Sequence, residues 1–205
     1  MKEYLPSRIF VSGTDTGIGK TVVSAMLMSS LDATYWKPTQ SGLDEETDTQ
    51  FVQRVSEVPE SRIIPERYRL NEPMSPHSAA DIDNVKISLN DFQLPEYDTD
   101  HLIVEGAGGL WVPINWKESM MDLILHLNIP VLLVARSTLG TLNHTLLSLE
   151  ALRNRGIDII GVVMNGPEHE ENKKTIEHFG NVKVWEINDL PDINKNTLKN
   201  TFNSL

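Results

Sequence analysis

Lys20 and Thr21 close the stretch Gly13-Thr14-Asp15-Thr16-Gly17-Ile18-Gly19-Lys20-Thr21. Its glycines let backbone N–H groups turn inward around the oxygens of an anion, and a helix beginning at Lys20 aims its first N–H groups at the same anion. In such a loop the lysine reaches the β- and γ-phosphates of a nucleotide, and the hydroxyl beside it ligates Mg²⁺. Gly17, Ile18, Gly19, Lys20, Thr21 and Val22 are therefore the expected phosphate-binding residues. The common form of this loop spaces its first glycine four residues from the Gly-Lys pair; here five, Thr14 to Ile18, intervene. The alternative is a glycine-rich turn with an incidental Lys-Thr, but an apolar strand signal precedes the loop and a helix signal follows it, as the motif requires.

Four more side chains sit where chemistry is done. Glu105 ends an apolar run and opens Glu105-Gly106-Ala107-Gly108-Gly109. A carboxylate there can hold Mg²⁺ directly or through water, and Gly106, Ala107 and Gly108 permit close approach to phosphate. The alternative is a solvated acid before a flexible turn. Lys37 precedes Pro38, which forces extended or turning backbone and leaves the lysine at a strand end; otherwise it is a surface lysine. Asp48 is a second candidate metal ligand, in competition with Asp44, Glu45 and Glu46 and with a plain role in the first turn of a helix. Asn165 can read a base edge with its amide or start a turn with Gly166.

The elements that position these residues follow from the apolar pattern. Arg8–Ser12 reads as a strand, Lys20 to about Leu31 as a helix, and Ala33–Trp36 as a short strand. Thr39–Thr47 is polar and acidic and reads as a loop. Thr47–Ser56 reads as a helix capped by Thr47 with Asp48 in its first turn. Arg62–Ala80, rich in Pro and Arg, reads as a long surface excursion, and residues 82–100 carry no clear pattern. Three continuous apolar runs, His101–Glu105, Val131–Ala135 and Ile157–Met164, have the character of parallel strands covered on both faces. Ser119–Asn128 and Thr141–Arg155 are the helices between them, and Val182–Ile187 is a last strand. The alternation predicts one α/β domain over residues 1–205, a doubly wound, mostly parallel sheet flanked by helices. Ligands in such sheets bind at the carboxyl ends of the strands, where Gly13, Lys37, Glu105, Arg136 and Asn165 all fall.

Bulk properties narrow the function. The chain has 205 residues, enough for one such domain with a full core. Its formal net charge of −11 disfavours nucleic acid as a partner, since phosphate backbones call for a basic surface. It has no cysteine, which excludes disulfides, thiol nucleophiles and thiolate metal sites. There is no signal-peptide pattern and no apolar run near the ~20 residues of a membrane span. A cytoplasmic protein without membrane contact is the expectation.

Taken together, GTDTGIGKT at 13–21, KPTQSG at 37–42, Ser75-Pro76-His77, VEGAGGLWVP at 104–113, LGTLNH at 139–144 and Val163-Met164-Asn165 resemble the dethiobiotin synthetase family over most of the chain and in the same order. The longer phosphate loop is the form that family uses, and Gly17 stands where some members carry glutamate. The resemblance implies a P-loop NTPase fold and an ATP-dependent ligase. One amine of 7,8-diaminononanoate takes up CO₂ as a carbamate, ATP phosphorylates the carbamate, and the second amine closes the ureido ring, giving dethiobiotin, ADP and phosphate. It implies Lys37 and Lys20 as catalytic residues and Mg²⁺ held by Thr21, Asp48 and Glu105. It also implies ATP contacts from Asn165, Gly166, Asn188, Asp189 and Leu190. Thr16, Ser41 and Pro76 would contact the carbamate or diamine. In a homodimer, Leu139, Gly140 and Asn143 of the neighbouring chain would receive the diamine's carboxylate at a helix N-terminus. Rival readings are a nucleotide-switched ATPase of the partitioning or septum-placement kind, the ATP half of an amidating synthase, and a nonenzymatic binding protein. The first typically carries a second lysine early in the loop, where this chain has Thr14-Asp15-Thr16, and the second needs a cysteine-dependent glutaminase.

Overall fold

The β-branched and leucine-rich runs of this chain pair with one another and not with the polar segments between them. A computed structural model describes residues 1–205. In chain order the elements are β1 (Arg8–Gly13), α1 (Lys20–Ser30), β2 (Ala33–Trp36), β3 (Thr39–Ser41), α2 (Asp48–Ser56), β4 (Ile63–Ile64), β5 (Tyr68–Leu70) and α3 (Pro76–Ile82). Then follow β6 (His101–Gly109), α4 (Met120–Leu127), β7 (Val131–Arg136), α5 (Thr141–Asn154), β8 (Ile159–Asn165), α6 (Glu170–Gly180), β9 (Val184–Ile187) and α7 (Lys195–Ser204). Seven strands form one sheet in the order β4-β2-β6-β1-β7-β8-β9, every neighbouring pair parallel.

Side chains alternate across this sheet and feed two apolar layers. On one face Ile9 and Val11 of β1 and Leu132 and Val134 of β7 pack with Val23, Met26 and Leu27 of α1, Val52 of α2 and Phe202 of α7. On the other, Phe10 and Leu133 pack with Met121 and Ile124 of α4, Leu149 and Leu152 of α5 and Ile176 of α6. Burial on both faces is why these strands read as unbroken apolar runs. Helix starts follow local chemistry. Thr47 caps α2 in a reciprocal box with Gln50, as its sequence position leads one to expect, and Ser119 forms the matching box with Asp122 at α4.

Several segments depart from the sequence-based expectation. Thr39–Ser41 is a strand and not loop; it pairs in parallel with β5, Thr39 opposite Tyr68 and Ser41 opposite Leu70. The pairing is seeded by Pro38, whose carbonyl accepts from the backbone N–H groups of both Arg67 and Tyr68 (2.9 and 3.1 Å). Arg62–Ala80 is therefore no loose excursion: it holds β4, β5 and most of α3, and it buries Leu70, Ala79 and Ala80. The strand expected over 157–164 runs from Ile159 to Asn165, and the last strand starts at Val184. Residues 82–100 carry one short 3₁₀ turn, Leu89–Asp91, and bury Phe92 completely. The strand expected to stop at Glu105 continues to Gly109, which pairs with Gly13 after a register shift. A Cβ at 109 would lie 3.3 Å from the Gly13 carbonyl oxygen, so glycine is what lets β6 run this close to the phosphate loop.

Candidate active site

A cavity of about 500 Å³ opens over the carboxyl ends of β1, β2 and β6. Thr16, Gly17, Gly19, Lys20 and Thr21 form one wall; Lys37, Asp48 and Glu105 form the floor. Ser41, Pro76, Ala107 and Gly108 complete the expected residues that line it. Twelve positions from separate stretches of chain thus meet in one place.

The floor is a compact polar cluster. Thr21 Oγ1 lies 2.9 Å from Asp48 Oδ1 and 3.0 Å from Glu105 Oε1. Lys37 Nζ lies 2.7 Å from Asp48 Oδ2 and 3.3 Å from Glu105 Oε1, and also donates to the Gly106 carbonyl at 3.4 Å. The hydroxyl of Tyr35 donates to the other oxygen of Glu105, Oε2, at 3.0 Å. Lys37 and Glu105 are buried, whereas the Asp48 side chain keeps 36% of its exposure. Asp48 does not cap α2, since Thr47 does that; it occupies the first helical position and turns its carboxylate to Thr21 and Lys37. Burial pushes the Lys37 ammonium down, but the carboxylates of Glu105 and Asp48 outweigh it and hold the pKa above its ordinary 10.5. Burial likewise raises Asp48, while the Lys37 charge and hydrogen bonds from Lys37 and Thr21 bring it below its ordinary 3.8.

Lys20 is buried at the start of α1 and donates to the Asp15 carbonyl at 2.8 Å, which folds its stem back across the loop. Burial sets the direction of its shift, downward, with Lys37 pushing the same way against the pull of Glu105, Asp48 and Asp15. The Asp15 carboxylate pairs with Arg136 at the end of β7 (2.6 Å). From the end of β8, Asn165 donates to the Ile18 carbonyl at 3.1 Å. Gly19 adopts φ +96°, and a Cβ there would fall 2.2 Å from the Asn165 amide nitrogen. The loop is thus tied to two strands that follow it by more than a hundred residues.

The remaining expected residues lie apart from the cavity. Ile18 is buried behind the loop, Val22 in the first turn of α1 packs half-buried against that side's apolar layer, and Gly106 faces Lys37 through its carbonyl. Gly166 sits beyond β8 against Ser137. Asn188 and Asp189 are exposed past the end of β9, with Leu190 half-buried. Leu139, Gly140 and Asn143 are exposed at the start of α5, Leu139 almost wholly so at 98%. Gln40, Pro73, Met74, Ser75 and Val112 line the cavity without having been expected to, and Tyr35 joins the cluster from beneath it.

A protein-family model described as "AAA domain" matches residues 7–197. The ATP-dependent dethiobiotin synthetase BioD of Rhodopseudomonas palustris (strain BisA53) is 49% identical over 196 residues, 95% of this chain and 92% of its own length. Its counterpart in Brucella ovis is 48% identical over 96% of this chain and 92% of its own length. This chain belongs to the dethiobiotin synthetase family. Among solved structures, a chain of the MinC:MinD cell division protein complex of Aquifex aeolicus aligns with a TM-score of 0.51, covering 95% of this chain and 86% of that one at 10% identity. At that identity the likeness is one of fold, a P-loop NTPase architecture that the dethiobiotin synthetase family shares. The rival reading as a septum-placement ATPase shares this architecture, but the likeness behind it is one of fold at 10% identity, against 49% for the dethiobiotin synthetase of Rhodopseudomonas palustris.

Proposed function

We propose that this chain forms dethiobiotin in biotin biosynthesis, closing a ureido ring from 7,8-diaminononanoate and CO₂ at the expense of ATP. The observation that carries the reading is the floor of the cavity, where Thr21, Lys37, Asp48 and Glu105 converge beside the phosphate loop. Phosphoryl transfer needs positioning and charge neutralisation more than it needs a covalent catalyst. Thr21, Asp48 and Glu105 offer only oxygen donors, with a single hydroxyl proton shared between two carboxylates, and that set suits Mg²⁺, which takes one or two carboxylates and completes its shell with water and phosphate. When bound, Mg²⁺ supplies positive charge to the phosphate oxygens of ATP.

The chain's own residues do the rest. Backbone N–H groups of Gly17 to Thr21, with Lys20, cradle the phosphates. A substrate amine forms a C–N bond to CO₂ and loses a proton, leaving a carbamate. A carbamate oxygen then attacks the γ-phosphorus as ADP departs. The second amine attacks the carbonyl carbon, the C–O bond to phosphate breaks, the departing phosphate takes up the amine's proton, and the ring closes. Lys37 sits beside two carboxylates that favour its ammonium form. It therefore acts as a fixed cation toward the carbamate and the transferring phosphoryl group and not as a base. Thr16, Ser41 and Pro76 position the diamine, and Asn165, Gly166, Asn188, Asp189 and Leu190 belong to the adenine side.

The diamine's far carboxylate is received by Leu139, Gly140 and Asn143 of a second copy, so the working unit is a homodimer. Apolar exposure supports this: Trp111 (65%) and Leu147 (56%) are exposed on a groove that borders Thr14 to Thr16, and Leu139 is exposed at the start of α5. No helix is long and apolar enough to cross a membrane. Incubation with diaminononanoate, bicarbonate and ATP–Mg²⁺ should yield dethiobiotin and ADP in equal amounts by mass analysis. ATP hydrolysis without ring closure would refute the reading in favour of a nucleotide switch.

A further inference from the structure

Glu105 divides its two oxygens between different neighbours. Oε1 faces Thr21 and Lys37, whereas Oε2 is taken by the Tyr35 hydroxyl. The division is built into the sheet. Tyr35 on β2 is in register with Ile103 on β6, and Glu105 lies two residues further along the same face. An aromatic side chain is long enough to reach such a diagonal neighbour.

We infer that Tyr35 is a positioning residue, whose hydroxyl anchors Oε2 of Glu105 so that Oε1 alone is presented to the metal and phosphate position. The inference rests on the metal role given to Glu105 above. Tyr35 is fully buried, and the side chain of Glu105 has no exposure, so water does not replace this bond. A carboxylate oxygen can only accept, so the Tyr35 O–H is the donor in this bond. Deleting the hydroxyl strands Oε2 in an apolar setting. The carboxylate then gains by turning toward the remaining donors, chiefly Lys37, and away from the metal position. A purely packing role would be met by the ring alone, since Tyr35 sits among Ile9, Val11, Ile103 and the helix α1 side chains of one apolar layer.

The test separates these roles with Tyr35→Phe, which keeps the ring. Mn²⁺ binding in the presence of ADP, followed by electron paramagnetic resonance, should weaken about 10–100-fold, the range found when an outer partner of a metal ligand is removed. Binding of metal-free ADP should stay at the wild-type value. In a Glu105→Gln background the same change should weaken Mn²⁺ little further. Wild-type Mn²⁺ affinity in Tyr35→Phe, together with weak affinity in Glu105→Gln, would overturn the positioning role and leave the metal assignment standing. An equal loss from Tyr35→Phe in both backgrounds would also overturn it, as the mark of a general structural effect. Wild-type affinity in both Glu105→Gln and Asp48→Asn would bring down the metal assignment and this inference with it. Should Tyr35→Phe fail to fold while Tyr35→Phe/Glu105→Gln folds, the charge left without its donor is Glu105, and the pairing is supported.

Discussion

Lys37→Met removes a single charge and keeps most of the stem that carries it. The ammonium neutralises two carboxylates, one with no side-chain exposure and one with 36%. Breaking a fully buried pair by removing one partner costs about 3–5 kcal/mol. Solvent screens the Asp48 half, so the expected loss falls to about 2–3 kcal/mol at neutral pH, most of it from Glu105. In a chain of this length each kcal/mol moves the midpoint by about 2–4 °C, so a fall in Tm of roughly 4–12 °C follows. The pH dependence carries the sign. Asp48 is held below its ordinary 3.8, so its stabilising contribution is present above that value and is lost as pH falls through the lower, folded one. Lys37 is held above 10.5, so its contribution is present below that value and is lost as pH rises through the higher, folded one. The gap between wild type and Lys37→Met should therefore be widest from about pH 5 to pH 10 and narrow at both ends. Urea unfolding of both proteins across a pH series measures it. A gap under about 1 kcal/mol at pH 7, or one that keeps its size in acid, refutes the picture of a buried counter-cation. Ring closure should fall by about 10²–10³-fold or more with ATP affinity little changed, since the lysine acts on developing charge; normal kcat with weakened ATP affinity contradicts that role.

Two further changes probe the loop and the subunit arrangement. Gly19→Ala should weaken ATP binding by calorimetry at least about tenfold, because its Cβ meets Asn165, whereas Gly140→Ala, at φ +91° with nothing within 4 Å of the added Cβ, should cost ATP binding nothing; equal losses would contradict the steric account. Lys20→Ala and Asn143→Ala should each be impaired alone, yet mixed subunits should regain activity, since one of the two shared sites then carries neither defect; no recovery after verified subunit exchange would place the carboxylate site within one chain.

Continuous apolar strands made the central sheet legible, and with it the strand ends where Gly13, Lys37 and Glu105 stand. Their convergence follows from parallel topology alone, whatever the loops do. Asp48 was legible as a first-turn residue of α2, but its tie to Lys37 depends on where α2 lies against β2, which no local pattern encodes. The β3–β5 pair was hidden because Thr39, Gln40 and Ser41 are polar, the last two where they border the cavity, and periodicity detects only apolar residues. The glycines of β6 read as a turn, although β6 runs on through them beside Gly13. Tyr35 looked like any strand aromatic, since nothing in its spacing marks a hydroxyl that reaches two residues along the neighbouring strand.

The sheet order bears on how the chain is born. β1, which carries the phosphate loop, has β6 on one side and β7 on the other, and β2 is reached only across β6. A ribosome thus releases the loop, Lys37 and Asp48 well before the strand that sets the spacing between them. Until residues 101–109 emerge, β1 has no partner on its inner side, and until 131–134 it has none on the other. Such long-range pairing is slow to form and leaves apolar edges open to other nascent chains. Nucleotide affinity should accordingly arrive late in synthesis, only after β6 has paired with β1, which makes nucleotide binding a reporter that this part of the sheet has closed.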